Sequence, residues 1–268
     1  MRTLLLSLFI LPAFIRAQVL FTPIGAEAWG KGGCSTASEN IWAINNNVAG
    51  ICSFKNTSFG INNQVPFKIT ELSLSSLALV APTKWVHTGF SLDNYGNALF
   101  NQQKISLGLA KLLSKTFSIG ISLDYVHTQI QGYGNSGTFV PAGGVLYKPH
   151  QKLHIGLKIF NPNQIKYSEN ITDKIPTYAR LGLLYKINNH VQLLVDADKT
   201  LQKDMIMRCG IDYEIHPSFS LRAGWASNPM FFTFGFALSL KKLRIDFASS
   251  IHEVLGLTPH LALVYQLK

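Results

Sequence analysis

The alternation of apolar and polar residues after Ser53 constrains the fold of this chain more than any other feature. From 117 to 125 the odd positions are Phe, Ile, Ile, Leu and Tyr, and the even positions are Ser, Gly, Ser and Asp. A side-chain period of two is typical of a β-strand. About fourteen such runs follow one another, and none approaches the roughly 18 apolar residues of a membrane helix. The pattern predicts an all-β fold, a transmembrane antiparallel up-and-down β-barrel of about 14 strands.

The predicted strands have close to the length that a tilted strand needs to cross a membrane. They cover 54–62, 69–80, 83–92, 103–112, 116–129, 139–148, 153–162, 177–187, 191–199, 204–214, 218–226, 230–239, 242–250 and 258–267. The second run loses its phase around Ser75–Leu77, which predicts a β-bulge.

The predicted connections alternate between short and long. The longer ones are expected at 93–102, 130–138, 163–176 and 251–257. Bacterial barrels have tight periplasmic turns and longer outer loops. This predicts a protein of the bacterial outer membrane with both termini in the periplasm. The residues expected to anchor it at the membrane interface are Trp85, Trp225, Tyr147, Tyr185, Tyr213 and Tyr265.

The first residues are expected to be a targeting signal rather than part of the fold. Arg2 supplies a positive charge, Thr3–Ile15 is apolar, and Ala17 is a plausible last residue before cleavage. The expected division is a signal peptide at 1–17, a plug or hatch segment at 18–52 and the barrel at 53–268.

The chain is basic, but its basic residues are dispersed. It has 24 Lys and Arg against 14 Asp and Glu; removal of Arg2 and Arg16 leaves 22 against 14, a net charge of about +8. Basic residues scattered over strands and turns do not form a nucleic-acid surface. They favour outer-membrane lipid or lipopolysaccharide as the partner, and no nucleic acid.

The three cysteines point to no metal or redox site. Cys209 is in phase with apolar neighbours and is expected to face lipid. Cys34 and Cys52 could form a disulfide in an oxidising periplasm or remain two free thiols. The sequence has no CxxC and no cluster of metal ligands, so we expect no metal and no cofactor.

The segment 24–52 does not alternate and is rich in small residues, which permit tight turns and close backbone approach. Ahead of the first strand, such a segment is a natural plug for the lumen. The candidate plug residues are Gly25, Gly30, Gly32, Gly33, Trp42, Asn46, Asn47 and Gly50.

These residues also carry a family resemblance. Gly25-Ala-x-x-x-Gly-x-Gly-Gly, followed by Trp42 and by Asn46-Asn-Val-Ala-Gly-Ile, resembles the N-terminal signature of the PorV/PorQ-like, FadL-related outer-membrane barrels of Bacteroidota. The segments Leu240–Ser250 and His252–Gly256 agree with this similarity. Many members have Asn-Pro-Ala-Gly where this chain has Asn47-Val-Ala-Gly, so the turn could differ.

The resemblance implies a fourteen-stranded barrel with an N-terminal hatch. It also implies a non-enzymatic component or accessory of an outer-membrane secretion or assembly complex, similar to type IX secretion. The alternative is a FadL-like channel for uptake of hydrophobic small molecules. The partners would be a larger outer-membrane protein complex in the first case and a hydrophobic ligand in the second.

Charged residues on the polar phase of the strands are predicted to point into the lumen. Because both signs occur around the wall, we expect salt-bridged pairs that hold a plug, with a polar permeation route as the alternative. They are Asp124, Lys158, Arg180, Asp196, Asp198, Arg208, Asp212, Arg222, Arg244 and Asp246.

Two catalytic readings are weak. His252-Glu253 begins like a zinc-protease motif, but Gly256 stands where a second His is required. His252 or His260 could serve Ser249 or Ser250 as a base, yet no third group is positioned by the sequence. We therefore expect no enzyme.

Overall fold

A computed structural model describes residues 19–167, 174–201 and 203–267. The predicted signal peptide, 1–17, lies outside this part of the chain. The strands form one closed antiparallel barrel in which each strand pairs with its sequence neighbours and the first pairs with the last. The predicted fold class is confirmed. The strands are β1 Ser58–Gln64, β2 Leu74–Pro82, β3 His87–Gly96, β4 Phe100–Ser114, β5 Phe117–Ile130, β6 Gly134–His150, β7 Leu153–Phe160, β8 Tyr178–Lys186, β9 Val191–Thr200, β10 Ile206–His216, β11 Phe219–Ala226, β12 Phe231–Leu240, β13 Leu243–His252 and β14 Gly256–Gln266.

The alternation in sequence becomes an alternation between the two faces of the wall. Burial alternates strictly along β1 and along most of β8, with small or polar residues mainly inside and large apolar residues mainly outside; Asn63 is an exception on the outside. Register shifts occur only at Leu112/Ser114, Tyr147/His150 and Glu214/His216 among the paired strands. All three lie beside turns of two residues, so the middle of the wall is regular.

The two ends of the barrel differ in their connections. One end, the short-turn end, carries 83–86, 115–116, 151–152, 187–190, 217–218 and 241–242. The other, the long-loop end, carries 65–73, 97–99, 131–133, 161–177, 201–205, 227–230 and 253–255. Tyr147, Tyr185 and Tyr213 lie exposed near the short-turn end.

Three of the four predicted long loops are wrong. The segments 93–102, 130–138 and 251–257 contain turns of only three residues, because the adjacent strands continue past the predicted ends. Strand segments with polar residues, such as Gln102 and Lys104, pair as regularly as apolar segments once the register is set. Only 65–73 and 161–177 form longer connections.

The predicted bulge at Ser75–Leu77 is also wrong. β2 begins at Leu74 and pairs with β1 and β3 without a register shift. The residues before it form two 3₁₀ turns, Pro66–Lys68 and Thr70–Leu72. The loss of phase therefore marks the end of a loop and the start of a strand.

The N-terminal segment folds inside the barrel. It contains a 3₁₀ turn, Val19–Phe21, helix α1 (Ala26–Gly30), helix α2 (Ala43–Asn46) and a second 3₁₀ turn, Val48–Ser53. Leu20, Trp42 and Ile51 are almost completely buried. No helix in the described ranges is long and apolar enough to cross a bilayer. The buried core of this protein is thus the lumen, filled by its own N-terminal segment.

Candidate functional site: the filled lumen

Two asparagines give the N-terminal segment its internal shape. Asn46 donates from Nδ2 to the Ile24 carbonyl (2.8 Å) and accepts from the Ile24 N–H at Oδ1 (2.9 Å). Asn47 donates to the carbonyls of Thr36 (2.7 Å) and Val145 (3.0 Å), so it also joins the segment to β6. A buried side-chain amide with its donors used stabilises a single arrangement. The predicted plug residues Asn46 and Asn47 are therefore structural ties.

The predicted glycines lie where the segment approaches a neighbour closely. Gly32 has a φ of +70°, and its N–H donates to Thr233 Oγ1 (2.9 Å). A Cβ there would lie 2.6 Å from the Cys209 carbonyl oxygen, so a side chain would have to displace the wall. Gly25 packs against the indole of the buried Trp42 in the same way. Gly30 packs against Arg222, Gly33 against Arg208, and Gly50 against the Ser38 carbonyl.

Asp198 lies between two buried arginines on the wall of β8–β10. It accepts from Arg180 Nη2 and from Arg208 Nη1, each at 2.8 Å. Arg180 also lies over the Tyr178 ring, 5.2 Å from its centroid. All of these contacts use Asp198 Oδ2, and removal of the carboxylate would leave two buried charges uncompensated.

Asp196 binds the N-terminal segment directly. Its Oδ2 accepts from the backbone N–H groups of Ser35 (2.9 Å) and Thr36 (3.0 Å) and from Thr36 Oγ1 (2.7 Å). Hydrogen bonds to an ionised acceptor are stronger than neutral ones. Of the predicted lumen charges, Asp196 is the one that accepts from backbone groups of the segment.

A second ion-pair cluster lies on β10–β13. Arg222 donates from Nε to Asp212 (2.8 Å) and from Nη1 to Asp246 (2.6 Å). Arg244 pairs with the same Asp246 at 3.1 Å. The cluster also reaches α1, because Arg244 Nη2 lies 3.4 Å from Glu27 Oε2.

Glu27 of α1 is a functional candidate that the sequence reasoning missed. It pairs with Lys31 at 2.8 Å as well as with Arg244. Burial raises the pKa of this carboxyl, but Lys31, Arg244 and Arg222 together hold its pKa well below the usual 4.5. The sequence signal for this ion pair was the four-residue spacing between Glu27 and Lys31, which brings two side chains together on a helix.

The remaining predicted charges lie toward β3–β7. Lys158 donates to the backbone carbonyl of Asn45, and Asp124 is buried on β5. A pair that the sequence reasoning missed, Lys104 and Asp93, lies at 3.4 Å across β3 and β4. Asp93 was missed because its position was predicted to be a loop; a longer β3 would have placed it in the lumen.

At the long-loop end the lumen becomes apolar and aromatic. Phe21 lies 5.4 Å from Phe160, which stacks on Tyr178 at 5.2 Å. Leu20 and Ile24 belong to the same buried cluster. We call Phe21, Phe160 and Tyr178, together with the adjacent Leu20, the aromatic cluster. Beside it Ile175 is buried, and Asn161 donates to the Ile175 carbonyl (2.8 Å).

At the short-turn end the lumen opens into a polar cavity of about 360 Å³. Glu27, Glu39, His154 and Arg244 line it. Glu39 pairs with Lys148 and lies 3.4 Å from His154 Nδ1. The short-turn end of the lumen is therefore the more polar of the two.

The cysteines are all free. Cys209 is exposed on the outer face, as predicted. Of the two readings left open for Cys34 and Cys52, two thiols is the one observed. Burial raises the pKa of Cys52 to about 11.

The sequence suggested that Ser250 and His260 could act as a nucleophile and its base. In the structure Ser250 Oγ lies 3.4 Å from His260 Nε2. His260 is buried and stacks on Trp29 at 4.8 Å. Its Nδ1 has no hydrogen-bond partner in the described part of the chain, so no carboxylate orients the ring. No group of three metal-binding side chains occurs among the same residues.

These features define a closed fourteen-stranded barrel with an internal N-terminal segment. No protein-family model matches the sequence, and no curated protein matches it. Solved structures do match in fold. The chain is similar to the CymD monoaromatic hydrocarbon channel, with a TM-score of 0.70, 13% identity and coverage of 92% of this chain and 98% of that one.

Two further structures are similar. The P. putida toluene transporter TodX has a TM-score of 0.71 and 12% identity over 92% of this chain and 99% of that one. A Pseudomonas aeruginosa FadL homologue has a TM-score of 0.66 and 12% identity over 91% and 98%. Identity this low shows a shared fold alone. The two neighbours with a printed activity are channels or transporters, not enzymes, and the PorV/PorQ branch stays a prediction.

Proposed function

We propose that this chain is an outer-membrane channel for a hydrophobic small molecule about the size of one aromatic ring. The observation that carries the proposal is the aromatic cluster at the long-loop end. There the ring of the protein's own Phe21 lies 5.4 Å from the Phe160 ring, centroid to centroid, within the buried apolar cluster of the lumen. A small apolar ligand would replace Phe21 and keep the same contacts. The proposed orientation has the long-loop end outside and both termini in the periplasm.

The contrast between the two ends of the lumen supports a direction of movement for the ligand. An apolar ligand would gain burial at the aromatic cluster, with about 25 cal/mol for each Å² removed from water. The ion pairs and the polar cavity below offer no such gain. For the ligand to leave, the N-terminal segment must move or the wall must open. The outer surface has a shallow depression beside β1–β3, lined by Ile61, Leu77 and Leu92, where an apolar molecule could enter the bilayer.

The test is toluene binding to the purified full-length barrel in detergent. Phe21→Ala should open a site and strengthen toluene binding, because truncation of a buried phenylalanine leaves a cavity that apolar molecules can fill. Phe59→Ala is the matched control, since Phe59 lies on the outer face. Absence of toluene binding to both the native chain and Phe21→Ala would contradict the proposal.

A second candidate is an accessory of an outer-membrane secretion or assembly complex. The observation that favours it is the continuous wall: all fourteen strand pairs are hydrogen-bonded, and the N-terminal segment fills the lumen. Purification from native membranes in mild detergent separates the candidates. A stable large complex without bound hydrophobic molecule would favour the accessory.

A further inference from the structure

The fold separates the charges of the connections between the two ends of the barrel. The six short turns contain five Lys and no Asp or Glu, whereas the connections of the long-loop end contain four Lys and five Asp or Glu. The excess of basic residues in the connections therefore lies entirely at the short-turn end. The exposed lysines of the short turns, together with the exposed Lys111 of β4, are Lys84, Lys111, Lys115, Lys152, Lys241 and Lys242. We call this set the lysine rim.

The lysine rim lies just beyond the outward-facing tyrosines of the same end. Lys152 lies one position beyond Tyr185 in the register of β7 and β8. Lys242 lies one position beyond Tyr265 in the register of β13 and β14. At a rise of about 3.3 Å per residue, both lysines begin about 3 Å beyond the tyrosines.

Trp85 and Lys84 have the same arrangement within one turn. Trp85 is 75% exposed in the turn between β2 and β3, and Lys84 Nζ lies 5.5 Å from the centroid of its ring. Exposed tryptophans and tyrosines of membrane proteins lie at the level of the lipid headgroups. The ammonium groups of the lysine rim are therefore expected at the depth of the lipid phosphates.

Lys111 faces the surroundings of the barrel rather than the mouth of its lumen. It is in phase with Leu107 and Leu109 on the outer face of β4, and these leucines are 61% and 50% exposed. A lysine among lipid-facing leucines extends along the apolar surface and places its ammonium group at the interface. A soluble protein seated on the mouth of the lumen would not cover this side chain.

The lysine rim is also spread around the barrel. Its members lie in or beside the turns β2–β3, β4–β5, β6–β7 and β12–β13. A protein bound to one side of the wall would contact only some of them. Lipid headgroups surround a membrane barrel on every side.

We propose that the lysine rim binds anionic phospholipid headgroups, of the phosphatidylglycerol type, in the periplasmic leaflet of the outer membrane. Lysines near an anionic lipid surface are attracted to it. Lipopolysaccharide would meet the long-loop end, where acidic residues offset the lysines. The proposal shares its orientation with the proposed function, but it does not depend on the ligand of the lumen.

Lipid selectivity in vesicles of phosphatidylcholine and phosphatidylglycerol tests the contact. Spin-labelled lipids of both types report the relative association of each with the full-length barrel. We expect a preference for phosphatidylglycerol on the order of fivefold at low salt, and its loss at high salt, which screens exposed charges. A native chain without this preference would overturn the proposal.

Two matched triple variants locate the preference. Lys84→Gln with Lys152→Gln and Lys242→Gln removes three charges from the lysine rim and should abolish most of the preference. Lys68→Gln with Lys174→Gln and Lys199→Gln removes three exposed charges from the long-loop end and should leave it unchanged. Both should fold, because exposed substitutions of this kind change stability little, and heat-modified mobility checks this. An equal loss in the two variants would refute the lysine rim, because net charge alone would then set the preference.

Labelling of intact cells identifies the leaflet and is independent of the toluene test. Lys242→Cys should resist a membrane-impermeant maleimide in whole cells and react once the outer membrane is opened. Lys203→Cys, in the connection 201–205, should react in both, and the native chain is the blank for its own thiols. Reaction of Lys242→Cys in whole cells would place the lysine rim in the lipopolysaccharide leaflet and overturn the assignment to phospholipid, whatever toluene binding shows.

Discussion

The two walls of this barrel are built on different principles. On β8–β13 the inner face holds buried ion pairs, with Asp198 between Arg180 and Arg208, and the outer face is apolar. On β1–β4 the inner face has one buried ion pair, Asp93 with Lys104, beside neutral residues, and the outer face carries exposed polar residues such as Asn63 and Gln103 among its apolar ones. The ion-pair wall, β8–β13, binds the N-terminal segment through Asp196 and Arg244, and Ser91 and Ser118 on β3 and β5 bind it as well. The outer face of β1–β4 is mixed, because Asn63 lies beside apolar residues such as Ile61.

The largest expected effect breaks the ion-pair wall. Asp198→Asn leaves two buried guanidinium groups without their shared carboxylate, so we expect a loss of about 3–5 kcal/mol in the free energy of unfolding. Urea unfolding in detergent measures it. Asp204→Asn, in an exposed connection, is the control and should change stability little. An equal, small effect of both would mean that the arginines are satisfied elsewhere.

A smaller effect sharpens the contrast between the outer faces. Phe232→Arg should destabilise the barrel by about 2–4 kcal/mol, the cost of a cation near the bilayer midplane. The spacing of residues along the strands places Asn63 at about the same depth. Asn63→Arg should cost at least roughly 1 kcal/mol less than Phe232→Arg, because a polar group already occupies that position. Unfolding from vesicles at low protein density gives both values. Equal costs would show that the two walls meet the same environment.

The smallest effect appears only in acid. Because the folded-state pKa of Glu27 lies well below its unfolded value of 4.5, its contribution to stability is complete above pH 4.5. That contribution is lost as the pH falls from 4.5 toward the folded-state pKa. Glu27→Gln should flatten the dependence of unfolding free energy on pH in this range, whereas Glu71→Gln, on an exposed turn, should not. A native slope in Glu27→Gln would contradict the ion pairs of α1.

The prediction from sequence succeeded where the signal was local. The side-chain period of two identified every strand. The phase of the alternation placed Asp198 and Arg222 in the lumen and Cys209 on the outer face of the barrel. It was wrong where a boundary depended on pairing: β1 begins at Ser58 rather than 54, and Asp93 lies in a strand rather than a loop. Strand ends are set by partners far along the chain, which alternation does not report.

The candidate site was predicted in kind but not in arrangement. Phase indicated charges of both signs in the lumen, yet Asp196 accepts from Ser35 and Thr36, about 160 positions away. The aromatic cluster was not foreseen, because Phe21 and Phe160 come from segments with no sequence relation. The roles of the predicted plug residues in gating remain predictions.

The sequence by itself determined that this chain forms a closed barrel of about fourteen strands with a separate segment before it. A side-chain period of two and the absence of a long apolar run are properties of neighbouring residues, and they leave few other folds. Only the tertiary structure decided which charges pair, how the segment fills the lumen and which residues meet across neighbouring strands. Those features depend on the register between strands, which is fixed by closure of the whole barrel.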